Sequence, residues 1–85
     1  MLLDNDSALA LVCRGIVFAN LNETDKALLD FNRAIDLQPT YSYAYFNRGI
    51  LKYSIKDTSG ACIDWNQAVR FGYSAANEKI IMNCK

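Results

Sequence analysis

The chain has 85 residues, 52% of them hydrophobic and 21% charged, which fits one small folded domain and excludes a disordered segment. A domain of this length buries only about 60–65% of the surface that its unfolded chain exposes, so its core is marginal. Nine acidic and nine basic residues cancel, which removes any bulk attraction to nucleic acid or to an anionic membrane.

Taken in chain order, the first predicted element is a helix over about 7–20. Its segment "ALALVCRGIVFAN", from Ala8 to Asn20, is apolar on nearly every face, with only Arg14 and Asn20 strongly polar. A helix that is apolar all round is normally buried. This run is too short to span a bilayer, and Arg14 interrupts it. No basic region precedes an apolar run at the N-terminus, which argues against a secretory leader. After a break at Leu21–Glu23, a second helix is expected over 24–37, where Ala27, Leu28, Phe31, Ala34 and Ile35 form one apolar stripe. Pro39 lies just past its end. A third helix is expected over 41–54 and, after a break at Lys56–Thr58, a fourth over 58–71. Gly72 then offers a left-handed cap at little steric cost. The fifth helix, 75–84, mixes Ile80, Ile81 and Cys84 with Asn77, Glu78, Lys79 and Asn83, as a solvated end cap should. Asp6, Thr40 and Ser74 recur every 34 residues as candidate N-caps of the first, third and fifth helices. There is no strand signal and no linker, so the fold class is all-α.

The 34-residue spacing runs through the whole chain. "ALLDFNRAI" at 27–35 returns as "ACIDWNQAV" at 61–69. Ala10, Arg14, Gly15, Ile16, Thr24, Ala27, Asp30, Asn32 and Ala34 each recur 34 positions later. A period of this length signals stacked helical hairpins. Gly15, Gly49, Ala27 and Ala61 are small where the two helices of a hairpin must approach closely, and Phe31 and Trp65 are the bulky residues that fill the wedge between one repeat and the next. Arg14 and Arg48 each stand sixteen residues before an aspartate, Asp30 and Asp64, which predicts an ion pair across each hairpin.

Leu11, Gly15, Phe18, Ala27, Phe31, Ala34 and Pro39, followed by Tyr45, Gly49, Ala61, Trp65 and Ala68, resemble the tetratricopeptide repeat pattern. Two departures stand out: Lys52 takes an aromatic slot, and Tyr73 replaces the second closing proline. The resemblance implies an α-α superhelix of five helices in a single domain. Repeat 1 spans about 8–41, repeat 2 about 42–73, and a capping helix about 74–85.

The residue inventory argues against catalysis. The chain has no histidine, the commonest general base and metal ligand. Cys13, Cys62 and Cys84 share no Cys-x-x-Cys spacing and read as reduced, mostly buried thiols in a cytoplasmic setting, with Cys62 in the core place of Leu28. No metal site, cofactor or phosphate loop is expected, and the chain is read as a non-enzyme.

What the resemblance implies is a protein-binding groove lined by the first helix of each repeat. Its residues would be Leu9, Val12, Cys13, Ile16 and Asn20, then Tyr43, Phe46, Asn47, Ile50 and Tyr53. Some family members grip a terminal carboxylate with Lys, Asn and Arg. Here Val12, Ile16, Asn77 and Ile81 stand in those places and only Asn47 survives, which argues against a carboxylate clamp. The expected occupant is a protein or peptide. Neither nucleic acid nor a membrane is expected as a partner.

The apolar first helix would lie uncovered at the open side of the stack, and two repeats are fewer than stacking usually needs. That side is therefore expected to be covered, by a second copy of the chain in a homo-oligomer or by preceding repeats. Charge is also polarised along the chain. Residues 1–40 hold six acids (Asp4, Asp6, Glu23, Asp25, Asp30, Asp36) and three bases (Arg14, Lys26, Arg33), a balance of −3. Residues 41–85 hold three acids (Asp57, Asp64, Glu78) and six bases (Arg48, Lys52, Lys56, Arg70, Lys79, Lys85), a balance of +3.

Overall fold

A computed structural model describes residues 7–84. Five helices follow one another: α1 (Ala8–Asn20), α2 (Thr24–Leu37), α3 (Ser42–Ser54), α4 (Thr58–Arg70) and α5 (Ala76–Asn83). The described residues contain no strand. α1 pairs with α2 and α3 with α4, while α3 also lies against α2 and α1, and α5 rests on α4. The all-α stack of hairpins expected from the 34-residue period is therefore present.

Each hairpin is closed by the same crossing. Ala27, Ala34, Ala61 and Ala68 are fully buried, as are the Phe31 and Trp65 rings. A Cβ on Gly15 would stand 2.6 Å from Cε1 of Phe31, and one on Gly49 would stand 2.6 Å from Nε1 of Trp65. The glycines are thus required by close approach. A larger ring in the second hairpin has a cost: Trp65 Nε1 is buried without a hydrogen-bond partner, a penalty of about 1–3 kcal/mol.

The predicted ion pairs form, and both are forked. Arg14 donates from Nε to Asp30 Oδ2 and from Nη2 to Asp30 Oδ1, each at 2.9 Å. Arg48 does the same to Asp64 at 2.8 and 2.7 Å, and its Nη1 donates to Asn32 of the first hairpin at 2.8 Å. The two pairs differ in solvation, since the Arg14 side chain is 52% exposed and that of Arg48 only 19%. Lys52, the departure from the aromatic slot, places Nζ 3.3 Å from Asp64 Oδ2 and gives that buried carboxylate a second cation. In the first hairpin the same slot holds Phe18, whose ring lies near the Arg14 guanidinium and the Lys26 ammonium. The Asp64 hydrogen bond holds the Arg48 guanidinium above its ordinary range, burial opposes this, and the charge of Asp64 adds to the rise. A raised arginine pKa contributes stability that is complete below the ordinary guanidinium range and is lost only in strong alkali, so this pair is insensitive to pH near neutrality.

The C-terminal stops of α1 and α3 follow the period, that of α4 has no counterpart in α2, and the N-caps break it. α1, α3 and α4 are each followed by a left-handed residue: Asn22 at φ 62°, Lys56 at 73° and Gly72 at 106°. The next amide then reaches back over the last turn, from Glu23 to the Phe18 carbonyl, Asp57 to Lys52 and Tyr73 to Ala68. Two of the expected N-caps are corrected. Thr40 does not cap α3, which starts after Tyr41 with no side-chain cap, and Ser74 does not cap α5, which starts after Ala75 likewise uncapped. Both lie one residue too early, because an extra turn residue precedes each helix. Asp6 lies outside the described residues. Ser7 caps α1 by accepting from the Ala10 amide, and Asp57 caps α4 by accepting from the Gly60 amide.

The cysteine reading also needs correction. Cys62 and Cys84 form a disulfide, with their Cα atoms 5.8 Å apart, and Cys13 is exposed. The return of the chain from α4 to α5 brings together two thiols separated by 22 positions, a proximity that short-range spacing rules do not detect.

Two stability outcomes follow. Asp64→Asn removes the charge that faces the half-buried Arg48 and Lys52 and should cost roughly 1.5–3 kcal/mol. Asp30→Asn should cost less, because Arg14 can turn to water; denaturant melts of both variants check the order. Lys56→Gly relieves a left-handed lysine and should stabilise by about 0.5–1 kcal/mol, read as a rise in Tm.

Candidate interaction surface

The exposed side of the α1–α3 layer is built from two matching stripes. Leu9, Cys13, Ile16 and Asn20 follow i, i+4, i+7 and i+11 on α1, so they share one helix face. Adding 34 gives Tyr43, Asn47, Ile50 and Ser54 on α3. Between the stripes runs an open cleft of about 180 Å³, lined by Ile16, Ala19, Asn20, Asn47, Ile50, Leu51 and Ser54 and floored by Phe31. Leu9 and Cys13 continue the α1 stripe as exposed residues.

Four of the ten residues expected from sequence thus line one cleft: Ile16, Asn20, Asn47 and Ile50. Asn47 is held by its own helix, its Nδ2 donating to the Tyr43 carbonyl at 2.8 Å. That bond orients the side-chain amide, whose Oδ1 can accept a further hydrogen bond. Ile50 is 40% exposed and supplies the apolar lip.

Three expectations are placed elsewhere. Val12 is fully buried in the core with Leu11, Ala27 and Phe31, so it offers no surface to a partner. Its position on α1 faces α2 and α3, one step round the helix from the stripe. Phe46 lies against Tyr73, with ring centroids 4.7 Å apart, in the cluster under α5. Tyr53 packs its ring 5.7 Å from Trp65 and borders a separate polar hollow with Ser54, Lys56 and Thr58. Tyr43 is half-buried on the stripe, with Tyr41 on one side and Tyr73 on the other.

The residue missed in the sequence is Ser54. It is the exact repeat mate of Asn20, and the 34-residue shift identifies it where the choice of a bulkier neighbour, Tyr53, does not. Phe31 belongs both to the core and to the lining of the cleft. At the α1 end of the strip, burial and then the proximity of Cys13 and Tyr43 hold the Tyr41 hydroxyl above its ordinary range. The phenol therefore remains a neutral hydrogen-bond donor at physiological pH.

Among the described residues no cluster of histidine, cysteine, aspartate or glutamate is arranged to hold a metal ion, and no helix is long and apolar enough to cross a membrane. The chemistry on offer at the cleft is apolar contact flanked by amide and hydroxyl groups. Such a surface suits the side chains of another polypeptide.

Comparison with known proteins agrees with this architecture. Residues 8–41 match the family model described as tetratricopeptide repeat. A curated relative, "Tetratricopeptide repeat protein 6" of Homo sapiens, is 33% identical over 73 residues, which is 86% of this chain. The chain spans about 14% of that relative's length.

Proposed function

The chain belongs to the tetratricopeptide repeat family, and we propose that it is a non-enzymatic protein–protein interaction module whose α1–α3 cleft takes a peptide segment or a helix. The observation that carries this is the pair of stripes repeated at 34 residues, which present an apolar strip with amide groups along its length. A bound segment would set apolar side chains against Ile16 and Ile50 over the Phe31 floor. Asn20, Asn47 and Ser54 would meet its polar groups, and Leu9, Cys13 and Tyr43 would extend the strip.

In this reading the domain comprises repeat 1 at about 8–41, repeat 2 at about 42–73 and a closing segment at about 74–85, and it works in the cytoplasm. Self-association is the second part of the proposal. It is favoured by the exposure of Leu9 and Val17 on α1 and of Leu21 just past its end, at 55%, 54% and 64%. Large apolar side chains left exposed along one helix suit contact with another protein.

Peptides selected on the intact chain from a displayed library provide the probe. Ile50→Ser should weaken binding of a selected peptide at least tenfold by fluorescence anisotropy while leaving the thermal melt intact, because Ile50 reaches into the cleft from an exposed position. Tyr53→Ala, which removes packing on Trp65, should lower the melt instead. Equal binding by wild type and Ile50→Ser would place the peptide site elsewhere.

A further inference from the structure

The 34-residue period makes the internal stacking interface a template for both outer faces of the molecule. Inside the stack, α3 contributes Tyr43, Ala44 and Leu51, with Ala44 0% and Leu51 4% exposed. They meet α2, whose Leu28 and Ile35 pack on the same cluster. Subtracting 34 from the α3 positions gives Leu9, Ala10 and Val17 on α1, where Leu9 and Val17 are more than half exposed. Adding 34 to the α2 positions gives Cys62 and Val69 on α4. That second face is covered, because Ala76, Ile80 and Cys84 of the α5 segment pack against it together with Phe71 and Tyr73.

α5 is a weak cover by its own chemistry. It has eight residues and no side-chain N-cap, and Ala76 is its only fully buried residue. Ile81 and Met82 point outward at 73% and 70% exposure. A helix this short does not persist without tertiary support. The covalent tie from Cys84 to Cys62 supplies that support, and Cys62 stands where the first repeat has the stacking residue Leu28. The cover is thus fastened at a contact point of the face that it hides.

We propose that the Cys62–Cys84 disulfide holds α5 as a reducible stop over the stacking face of α4, and that on reduction this face accepts the open α1 face of a second copy of the chain. The second copy is the occupant because its α1 carries the same residue positions that α3 already presents to α2, so the new contact continues an interface that the fold contains. A head-to-tail contact of this kind does not close on itself and propagates.

The redox step balances with a dithiol as reductant. One of its thiolates attacks a sulfur of the Cys62–Cys84 bond, which breaks and leaves a mixed disulfide and one free thiolate. The second thiolate of the dithiol then displaces the remaining cysteine. Two electrons and two protons pass to Cys62 and Cys84, and the reductant leaves as its own disulfide. In a cytoplasmic setting such a bond is transient and suited to switching.

This inference rests on the reading that the α1 face is covered in the working protein. The test uses the full chain carrying Cys13→Ser, so that the exposed thiol forms no crosslinks, in sedimentation velocity at rising micromolar concentration with and without dithiothreitol. The oxidised chain should remain a monomer. The reduced chain should gain mass with concentration, hydrogen exchange in 76–83 should accelerate, and helical circular dichroism should be largely kept. Cys84→Ser should assemble without reductant, and Val17→Lys should abolish assembly in either background. Equal association of oxidised and reduced chains, lost with Val17→Lys, would overturn the redox stop while leaving the α1 reading intact. A monomer in both states would overturn both, and global unfolding on reduction would overturn the stop.

Discussion

The structure depends on an aromatic ring lying over a glycine. Arg14-Gly15 on α1 faces Asp30-Phe31 on α2, and Arg48-Gly49 on α3 faces Asp64-Trp65 on α4. In each case the ring fills the space that the missing Cβ leaves, and the neighbouring carboxylate takes the neighbouring guanidinium in a fork. The ring fixes the depth of the crossing and the fork fixes its rotation. Two adjacent residues on each helix therefore set the whole geometry of a hairpin. The alanines around them, all fully buried, allow that approach.

That register determines what is left outside. Once Leu11, Val12 and Gly15 face inward on α1, the stripe Leu9, Cys13, Ile16 and Asn20 turns outward. The same constraint 34 residues later turns out Asn47, Ile50 and Ser54, while Tyr43, the mate of Leu9, is half-buried against the core. The cleft is thus a by-product of packing, and Phe31 belongs to both sides of it: its ring closes the first hairpin and its edge floors the cleft. A partner that uses the cleft would sense the same residue that holds the fold together.

The architecture was legible in the sequence because it repeats. The five helices, the close approach at Gly15 and Gly49 and both arginine–aspartate pairs follow from a 34-residue shift, whereas Phe31 and Trp65, expected between repeats, lie over those glycines within each hairpin. What the period does not encode was harder to read. Thr40 and Ser74 fit the cap pattern, yet each helix begins one turn residue later, a matter of local backbone path. Val12 neighbours the outward stripe on α1, where one position separates inside from outside, and it is fully buried although the resemblance implies a groove position. The resemblance points to Tyr53, although the repeat mate of Asn20 is its neighbour Ser54. The Cys62–Cys84 bond has no counterpart in the first repeat and joins the periodic part of the chain to the segment that ends the pattern.

That last feature shows where the two repeats stop being equivalent. In a finite stack of identical repeats the inner face is filled and both end faces stand open. Here the α2 face is filled by α3, the α4 face by a short helix tied covalently, and the α1 face by none of the described residues. Replacing Leu28 with Cys62 exchanges part of a hydrophobic contact for a bond whose existence depends on the surrounding redox couple. Apolar burial holds a face closed under all ordinary conditions, whereas a disulfide holds it closed conditionally. The sequence difference between the two repeats at this one position therefore changes the kind of force that terminates the stack, from packing that is always present to chemistry that can be withdrawn.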